Sequence, residues 1–248
     1  MTSLAIIGGT GLTRMEAMKV IRREMVKTPY GAPSCPIVFG EMDGVEVAFL
    51  ARHGSTHRIP PHRVNYRANI WALNSVGIRQ ILAVNAVGGI DETCTVGCMV
   101  IPDQIIDYTS DRESTFFDGG ENPIENIDFS FPYRESLRQA LISAAESLDD
   151  INCVNHGTYG ATSGPRLETA AEIRRMARDG CTVVGMTGMP EASLAAEMSI
   201  AYASLAVVVN PAAGVSDKPV DVDSIPVAVQ SGIESVRRVL QVALKSAV

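Results

Sequence analysis

Several short polar stretches of the sequence carry groups that could bind a small anion. Gly8-Gly9-Thr10-Gly11 directly follows the apolar residues 4–7. Successive glycines can turn backbone N–H groups toward one point, where an anion is held, and Thr10 could add a hydroxyl. A simple tight turn explains the same glycines, so both interpretations stay open.

Arg52 and His53 stand just before Gly54, at the end of another apolar stretch. The planar guanidinium of an arginine matches the oxygens of a phosphate group, and a histidine ring can supply a further hydrogen bond. A solvated loop arginine beside an incidental histidine is the alternative.

Two asparagines occupy similar places at the ends of apolar stretches. Asn85 follows residues 80–84 and precedes a glycine turn, so its amide and the N–H of Ala86 could both face a ligand. Asn210 follows the β-branched residues 202–209. Each can also be an ordinary turn-forming asparagine. Open α/β sheets bind ligands beyond the carboxyl ends of their strands, which is where these residues are expected.

Residues 157–191 are predicted to supply two walls of one pocket. A Gly/Ser/Pro turn at residues 163–165 precedes a helix that closes at Gly180. A buried parallel strand over residues 182–186 then ends in Thr187-Gly188-Met189-Pro190, just before the next helix.

The rest of the chain alternates strand and helix patterns. Asp43-Gly44 predicts a hairpin turn, and the type of residues 15–30 stays open because Pro29 and Gly31 interrupt the pattern. With 46% apolar residues, the sequence predicts a single α/β domain over residues 1–248, with a mixed central β-sheet flanked by helices. Strands are predicted at residues 4–7, 37–39, 45–50, 80–84, 96–103, 105–109, 182–186 and 202–209, and helices at residues 64–76, 134–148, 167–178, 191–200 and 224–246.

Composition excludes several classes of function. A net charge of −7 argues against a nucleic-acid or anionic-membrane partner, because such surfaces require clustered lysine and arginine. The five cysteines lack paired CxxC spacing and neighbouring ligand histidines, which indicates free thiols and no metal site. We expect a cytoplasmic protein, since no charged leader or membrane-length apolar run is present.

A dinucleotide-binding oxidoreductase is a competing class, suggested by the first glycine loop. Its fingerprint requires a third glycine where Arg14 stands, and an acidic residue after the second strand, where this sequence has Arg52 and His53. A nucleoside sensor without catalytic activity is a further alternative.

Two ordered motifs carry a resemblance to a known family. Gly164-Pro165-Arg166-Leu167-Glu168-Thr169, followed by GMTGMPE at residues 185–191, resembles the trimeric purine nucleoside phosphorylase and methylthioadenosine phosphorylase family. Residues 8–12, 52–54, 85–89 and 210 match the family in the same order, so the resemblance covers nearly the whole chain.

The resemblance implies phosphorolysis of a purine nucleoside by a homotrimer that needs inorganic phosphate and no cofactor. It implies catalytic roles for Asn210 and Glu168, and a loop at residues 112–131 that reaches toward a neighbouring subunit. The implied phosphate-binding residues are Thr10, Arg52, His53, Asn85, Ala86 and Thr187, and the implied substrate-binding residues are Leu167, Glu168, Met186, Asn210, Ala212, Val222 and Ile225.

Departures from the family pattern bear on the substrate. Asn210 and Ala212 stand where the methylthioadenosine branch has two aspartates, and Glu168 can accept the N1–H of a 6-oxopurine. Val222, Ile225 and Pro226 stand about where the family lines its 5′ pocket, and the resemblance therefore implies an apolar pocket that suits a 5′-methylthio group. The resemblance therefore predicts 5′-methylthioinosine as the substrate, with inosine or guanosine, or methylthioadenosine, as alternatives.

Overall fold

A mixed β-sheet forms the centre of the protein. The computed structural model describes residues 2–12, 15, 18–119 and 123–246, and within them eleven strands join into one sheet. The strands are β1 (Leu4–Gly8), β2 (Lys19–Glu24), β3 (Ile37–Met42), β4 (Val45–Ala51), β5 (Gln80–Gly89), β6 (Met99–Val100), β7 (Gln104–Asp107), β8 (Cys153–Val154), β9 (Thr158–Ala161), β10 (Cys181–Gly185) and β11 (Ala201–Pro211).

Helices flank this sheet. The long helix α5 packs against α2 and β11, whereas α1 packs against α4. As predicted, Val229, Ile233, Val236, Val239 and Leu240 form the buried face of α5. The helices are α1 (Tyr66–Ser75), α2 (Glu135–Glu146), α3 (Ala170–Arg178), α4 (Glu191–Glu197) and α5 (Ile225–Ser246). The predicted α/β class with a mixed, helix-flanked sheet is confirmed.

Strand β5 changes neighbours along one of its edges. β11 pairs with it in parallel from Gln80 to Gly89. On the opposite edge, β1 pairs in parallel with residues 80–83, and β10 pairs antiparallel with Gly88 and Gly89. Among the described residues, 84–87 have no strand partner on that edge. The sheet therefore opens beside these residues, at the kind of switch point where α/β proteins bind ligands.

Several predicted boundaries differ from the structure. The strand predicted at residues 80–84 continues to Gly89, because β11 pairs with it over its whole length. The predicted parallel strand β10 is parallel to β9 but antiparallel to β5. Residues 15–30, whose type was open, include the exposed edge strand β2. The strands β8 and β9 were not predicted, and Arg14 lies outside the described residues.

The hairpin turn and the start of α3 illustrate local control by sequence. Asp43 and Gly44 have φ angles of 51° and 85°, which is the geometry of the predicted two-residue turn. Helix α3 begins at Ala170 and not near residue 167, because Thr169 caps it. The Thr169 hydroxyl accepts from the N–H of Glu172, and the Glu172 carboxylate accepts from the N–H of Thr169.

The described residues also bear on membranes, metals and thiols. No helix among them has the length and apolar character needed to cross a bilayer. Within the same residues, no group of three or more histidine, cysteine or acidic side chains is arranged to hold a metal ion. All five cysteines are free thiols.

Replacing Thr169 tests whether its side chain stabilises the protein by capping α3. Thr169→Ala removes one capping partner, and we expect the free energy of unfolding to fall by about 0.5–2 kcal/mol. Urea denaturation measures the change. Thr169→Ser is the matched control and retains most of the stability; equal stability of the alanine variant and the natural protein would contradict the capping role.

Candidate active site

A cavity of about 370 Å³ lies where the sheet opens beside β5. Its walls come from the loop after β1, the end of β4, residues 86–88 of β5, the segment 165–168, the end of β10, the end of β11 and the start of α5. Of the predicted site residues, those that line it are Thr10, Arg52, His53, Ala86, Leu167, Glu168, Met186, Thr187, Asn210 and Ile225. Asn85, Ala212 and Val222 are not among its lining residues.

Arg52 forms a buried ion pair with Glu191, and both side chains are 0% exposed. The Nε and Nη2 atoms of Arg52 donate to the two carboxylate oxygens of Glu191, each at 2.6 Å. Tyr202 donates its hydroxyl to the same carboxylate at 2.9 Å. Burial alone would lower the pKa of Arg52, but Glu191 outweighs it and raises the pKa, so Arg52 stays charged.

The third nitrogen of Arg52 anchors it to the central strand. Nη1 donates to the carbonyl of Val84 at 2.9 Å. The described residues thus use three of the five N–H groups of the guanidinium, and one on each Nη atom remains for a ligand. A Cβ on Gly9 would lie 3.0 Å from Nη1, so only glycine lets this loop approach the arginine without displacement.

His53 is a neutral base whose proton position is fixed by the backbone. Its Nδ1 lies 2.8 Å from the carbonyl oxygen of Ile59, and because a carbonyl only accepts, Nδ1 carries the proton. Burial and the neighbouring Arg52 lower the pKa of His53 to about 4. At neutral pH, the other ring nitrogen, Nε2, therefore presents a lone pair. The exposed His57 lies against it edge-on, with 4.8 Å between ring centroids.

Asn85 lies behind the cavity wall and orients Thr187. Its amide is 1% exposed, its Oδ1 accepts from the Ser204 hydroxyl at 2.8 Å, and its Nδ2 donates to the Thr187 hydroxyl oxygen at 2.8 Å. The expectation that the Asn85 amide itself faces a ligand does not fit this geometry. Since the oxygen of Thr187 accepts from Asn85, its own hydroxyl proton is left for another acceptor, either the hydroxyl of Tyr159 or a group in the cavity that Thr187 lines.

Ala86 occupies the position in β5 where the edge is open. In a strand, the N–H and C=O of every second residue point to the same edge. Val84 directs its carbonyl toward Arg52 on the β1 side, so the N–H of Ala86 points to that side as well. Ala86 can therefore offer a backbone donor to the cavity that it lines.

Glu168 and Asn210 are each held by one internal hydrogen bond. Thr162 donates its hydroxyl to Oε1 of Glu168 at 2.6 Å, and the second oxygen of this half-buried carboxylate remains available. Asn210 is 8% exposed and donates from Nδ2 to the carbonyl of Pro211 at 2.7 Å. No protein donor to its Oδ1 is found among the described residues, so the amide presents an acceptor.

Two predicted substrate residues lie elsewhere. Ala212 is buried in a small apolar cluster with Ile173, Met176 and Val184, and Val222 is 61% exposed in a short 3₁₀ turn. Ile225 does line the cavity, and Val229, expected only in the core, lines it too. The apolar end of the cavity is thus formed by the first turns of α5.

Arg112 is a structural residue of the site that sequence reasoning missed. It follows β7 in the chain and donates to the carbonyls of Ser163 at 2.8 Å and Met186 at 2.9 Å, and to that of Met189. These bonds tie the turn before α3 to the segment after β10. A single arginine in a long polar loop gives no distinctive signal in the sequence.

Comparison with known proteins identifies the family. The sequence profile of the phosphorylase superfamily matches residues 3–245. The chain belongs to the phosphorylase superfamily. A relative from Pseudomonas syringae pv. tomato, described as a probable S-methyl-5′-thioinosine phosphorylase, is 52% identical over 97% of each chain. The 6-oxopurine nucleoside phosphorylase of Pyrococcus furiosus is 45% identical, covering 98% of this phosphorylase and 92% of its own chain.

Solved structures agree with this assignment. The methylthioadenosine phosphorylase of Schistosoma mansoni, solved with adenine, matches at a TM-score of 0.93 and 33% identity, covering 99% of this phosphorylase and 91% of that chain. A methylthioadenosine phosphorylase from an antarctic soil metagenomic library matches at a TM-score of 0.90 and 40% identity, covering 98% and 85%.

The buried ion pair of this phosphorylase can be tested through stability. Arg52→Met and Glu191→Leu each leave one uncompensated buried charge, so each should lower the free energy of unfolding by about 3–5 kcal/mol. The double variant should recover most of that loss, because both charges are removed. Urea denaturation of all three measures the coupling.

The exposed pair of Arg238 and Asp150 provides the control. Its side chains are 38% and 65% exposed, so solvent screens the pair and Arg238→Met should leave the free energy of unfolding nearly unchanged. If the double variant Arg52→Met, Glu191→Leu lost as much free energy of unfolding as the two single variants together, the two side chains would not act as a pair.

Proposed function

We propose that this phosphorylase cleaves 5′-methylthioinosine with inorganic phosphate, giving hypoxanthine and 5-methylthioribose 1-phosphate. The observation that carries the proposal is the composition of one cavity. Anion-binding groups around Arg52 and Thr10, the acceptors of Glu168 and Asn210, and the apolar Ile225 all line the same space. Phosphate, a purine base and an apolar 5′ substituent each find a suitable wall there.

The phosphate end explains how the reaction starts. Phosphate already carries negative charge, so the protein has to hold it against the ribose C1′ and does not have to generate a nucleophile. We assign the donors to Thr10, Arg52, the N–H of Ala86 and Thr187. Asn85, assigned to phosphate by resemblance, acts in this proposal through Thr187.

The base end explains how the glycosidic bond breaks. The sugar becomes cation-like as the bond opens, and electrons accumulate on the five-membered ring of the purine. As the base leaves with the electron pair of the glycosidic bond, its N7 takes up a proton from solvent, and Oδ1 of Asn210 can accept from the resulting N7–H and so stabilise the leaving base. The available oxygen of Glu168 can accept from N1–H, which hypoxanthine has and adenine lacks. Met186 contributes to the wall beside the ribose, and Leu167 to the wall beside Glu168.

The apolar end favours a methylthio group over a 5′-hydroxyl. Ile225 and Val229 contribute aliphatic side chains to the cavity. Contact between these side chains and a methylthio group removes apolar surface from water, which is favourable. The probable methylthioinosine phosphorylase at 52% identity supports this choice. Inosine or guanosine is the second candidate, since the Pyrococcus furiosus relative is a 6-oxopurine nucleoside phosphorylase.

Substrate comparison tests the proposal. Release of free base should require phosphate, and kcat/KM should fall in the order methylthioinosine, inosine, methylthioadenosine. We expect methylthioadenosine to be disfavoured by roughly tenfold or more, because its N1 cannot donate to Glu168. A preference for methylthioadenosine would refute the roles of Glu168 and Asn210, and a preference for inosine would refute the apolar 5′ pocket. Absence of base release from every purine nucleoside would leave only a binding function.

Asn85→Asp tests the arrangement behind Thr187. A carboxylate accepts the hydroxyl protons of both Ser204 and Thr187, so Thr187 no longer donates to the anion. We expect the KM for phosphate to rise roughly tenfold or more, with a much smaller change in the KM for methylthioinosine. Thr187→Ser retains the hydroxyl and should behave nearly as the natural enzyme. An unchanged KM for phosphate in Asn85→Asp would remove Asn85 from the phosphate site.

We further propose a cytoplasmic homotrimer. The segment at residues 112–131 is the part that the resemblance places against a neighbouring subunit, and its side chains Ile124 and Phe131 are 81% and 84% exposed. Light scattering at micromolar concentration should give three times the chain mass of 26.5 kDa. A monomer or dimer would contradict the proposal.

A further inference from the structure

We propose that the anion subsite selects an anion that carries a proton, so that His53 accepts the O–H of hydrogenphosphate and the site discriminates against sulfate. The inference deepens the proposed function and rests on it for the identity of the anion. It concerns a choice between two tetrahedral anions of similar size, which differ in whether they can donate a hydrogen bond.

The backbone decides what His53 can offer. Nδ1 donates to the carbonyl of Ile59 at 2.8 Å, so the neutral ring can present only a lone pair at Nε2. His53 is 6% exposed and lines the cavity, and no protein partner of Nε2 is found in the described part of the chain. Nε2 is open to the cavity, and an anion that fills the cavity takes the place of water there, so a ligand that donates to Nε2 is favoured.

The surroundings of His53 resist its conversion into a donor. Arg52 precedes it in the chain, His57 packs against its ring, and Arg58 lines the same cavity. Because the pKa of His53 is about 4, the ring would have to take up a proton at a pH far above its pKa before it could donate to sulfate. Hydrogenphosphate brings its own proton and meets the neutral ring without that cost.

The opposite side of the subsite consists of donors. Asn85 leaves the Thr187 hydroxyl free to donate, and two N–H groups of Arg52, the N–H of Ala86 and the Thr10 hydroxyl can add to it. Unprotonated oxygens of the anion fit these groups. His53 is then the place for the protonated oxygen, so the two sides together fix the orientation of hydrogenphosphate.

Binding of inorganic phosphate and of sulfate should be compared by titration calorimetry. The measurements use the natural protein at pH 8 with ionic strength held by chloride. We expect sulfate to bind roughly tenfold or more weakly, because it leaves Nε2 facing an anion oxygen with no proton between them. Equal affinities, within about threefold, would overturn the inference.

A substitution identifies the residue responsible. The amide of His53→Gln reaches the position of Nε2 and can rotate to donate, so the preference for phosphate should fall toward unity. His156→Gln, at an exposed histidine outside the cavity lining, is the matched control and should keep the natural ratio. A folded His53→Gln variant with an unchanged ratio would also overturn the inference.

Nitrogen NMR of the natural protein gives an answer that does not depend on a variant folding. With phosphate bound, the His53 ring should remain neutral, with its proton on Nδ1; an imidazolium would refute the inference. The outcomes that refute the proposed function differ from those that refute the selectivity for hydrogenphosphate. Selective phosphate binding without phosphate-dependent base release would refute the enzyme alone, whereas base release with equal affinities would refute only the selectivity, and binding of neither anion would refute both.

Discussion

The buried ion pair of Arg52 and Glu191 is the interaction on which the site depends. Two charges that are 0% exposed must satisfy each other and find further partners, because the interior offers no water to do so. The carbonyl of Val84 and the hydroxyl of Tyr202 supply them. These four residues come from the region after β4, from β5, from the first residue of α4 and from β11, so one charge network joins the elements that surround the cavity.

Side chains behind the wall decide which groups in the cavity donate and which accept. Ser204 and Asn85 leave the proton of Thr187 able to point into the cavity, and the carbonyl of Ile59 leaves Nε2 of His53 with a lone pair. The proposed anion site therefore has a defined pattern of hydrogen bonds before any anion arrives. Preorganised polar groups of this kind cost little to use, because they do not reorient when the ligand binds.

Sequence patterns predicted the positions of the candidate site residues better than the contacts that fix their side chains. Local apolar runs placed Arg52 and Asn210 near strand ends, and the capping box of Thr169 and Glu172 is a local signal that sequence reasoning could have used to start α3 correctly. The pairing of Arg52 with Glu191 spans 139 positions, and no local pattern indicates it. Asn85 was expected at a strand end, but pairing with β11 extends β5 and places the amide behind the wall.

Position 212 shows how packing and substrate preference are coupled. Relatives of this phosphorylase include a methylthioadenosine phosphorylase with the same fold and a 6-oxopurine nucleoside phosphorylase. Here Ala212 packs with Ile173 and Met176 of α3 and with Val184 of β10. An aspartate at this position would bring a carboxylate into that apolar cluster, where it is costly without partners. Introducing that aspartate would thus require repacking of α3, the helix that begins two residues after Glu168, which is the residue proposed to contact the base.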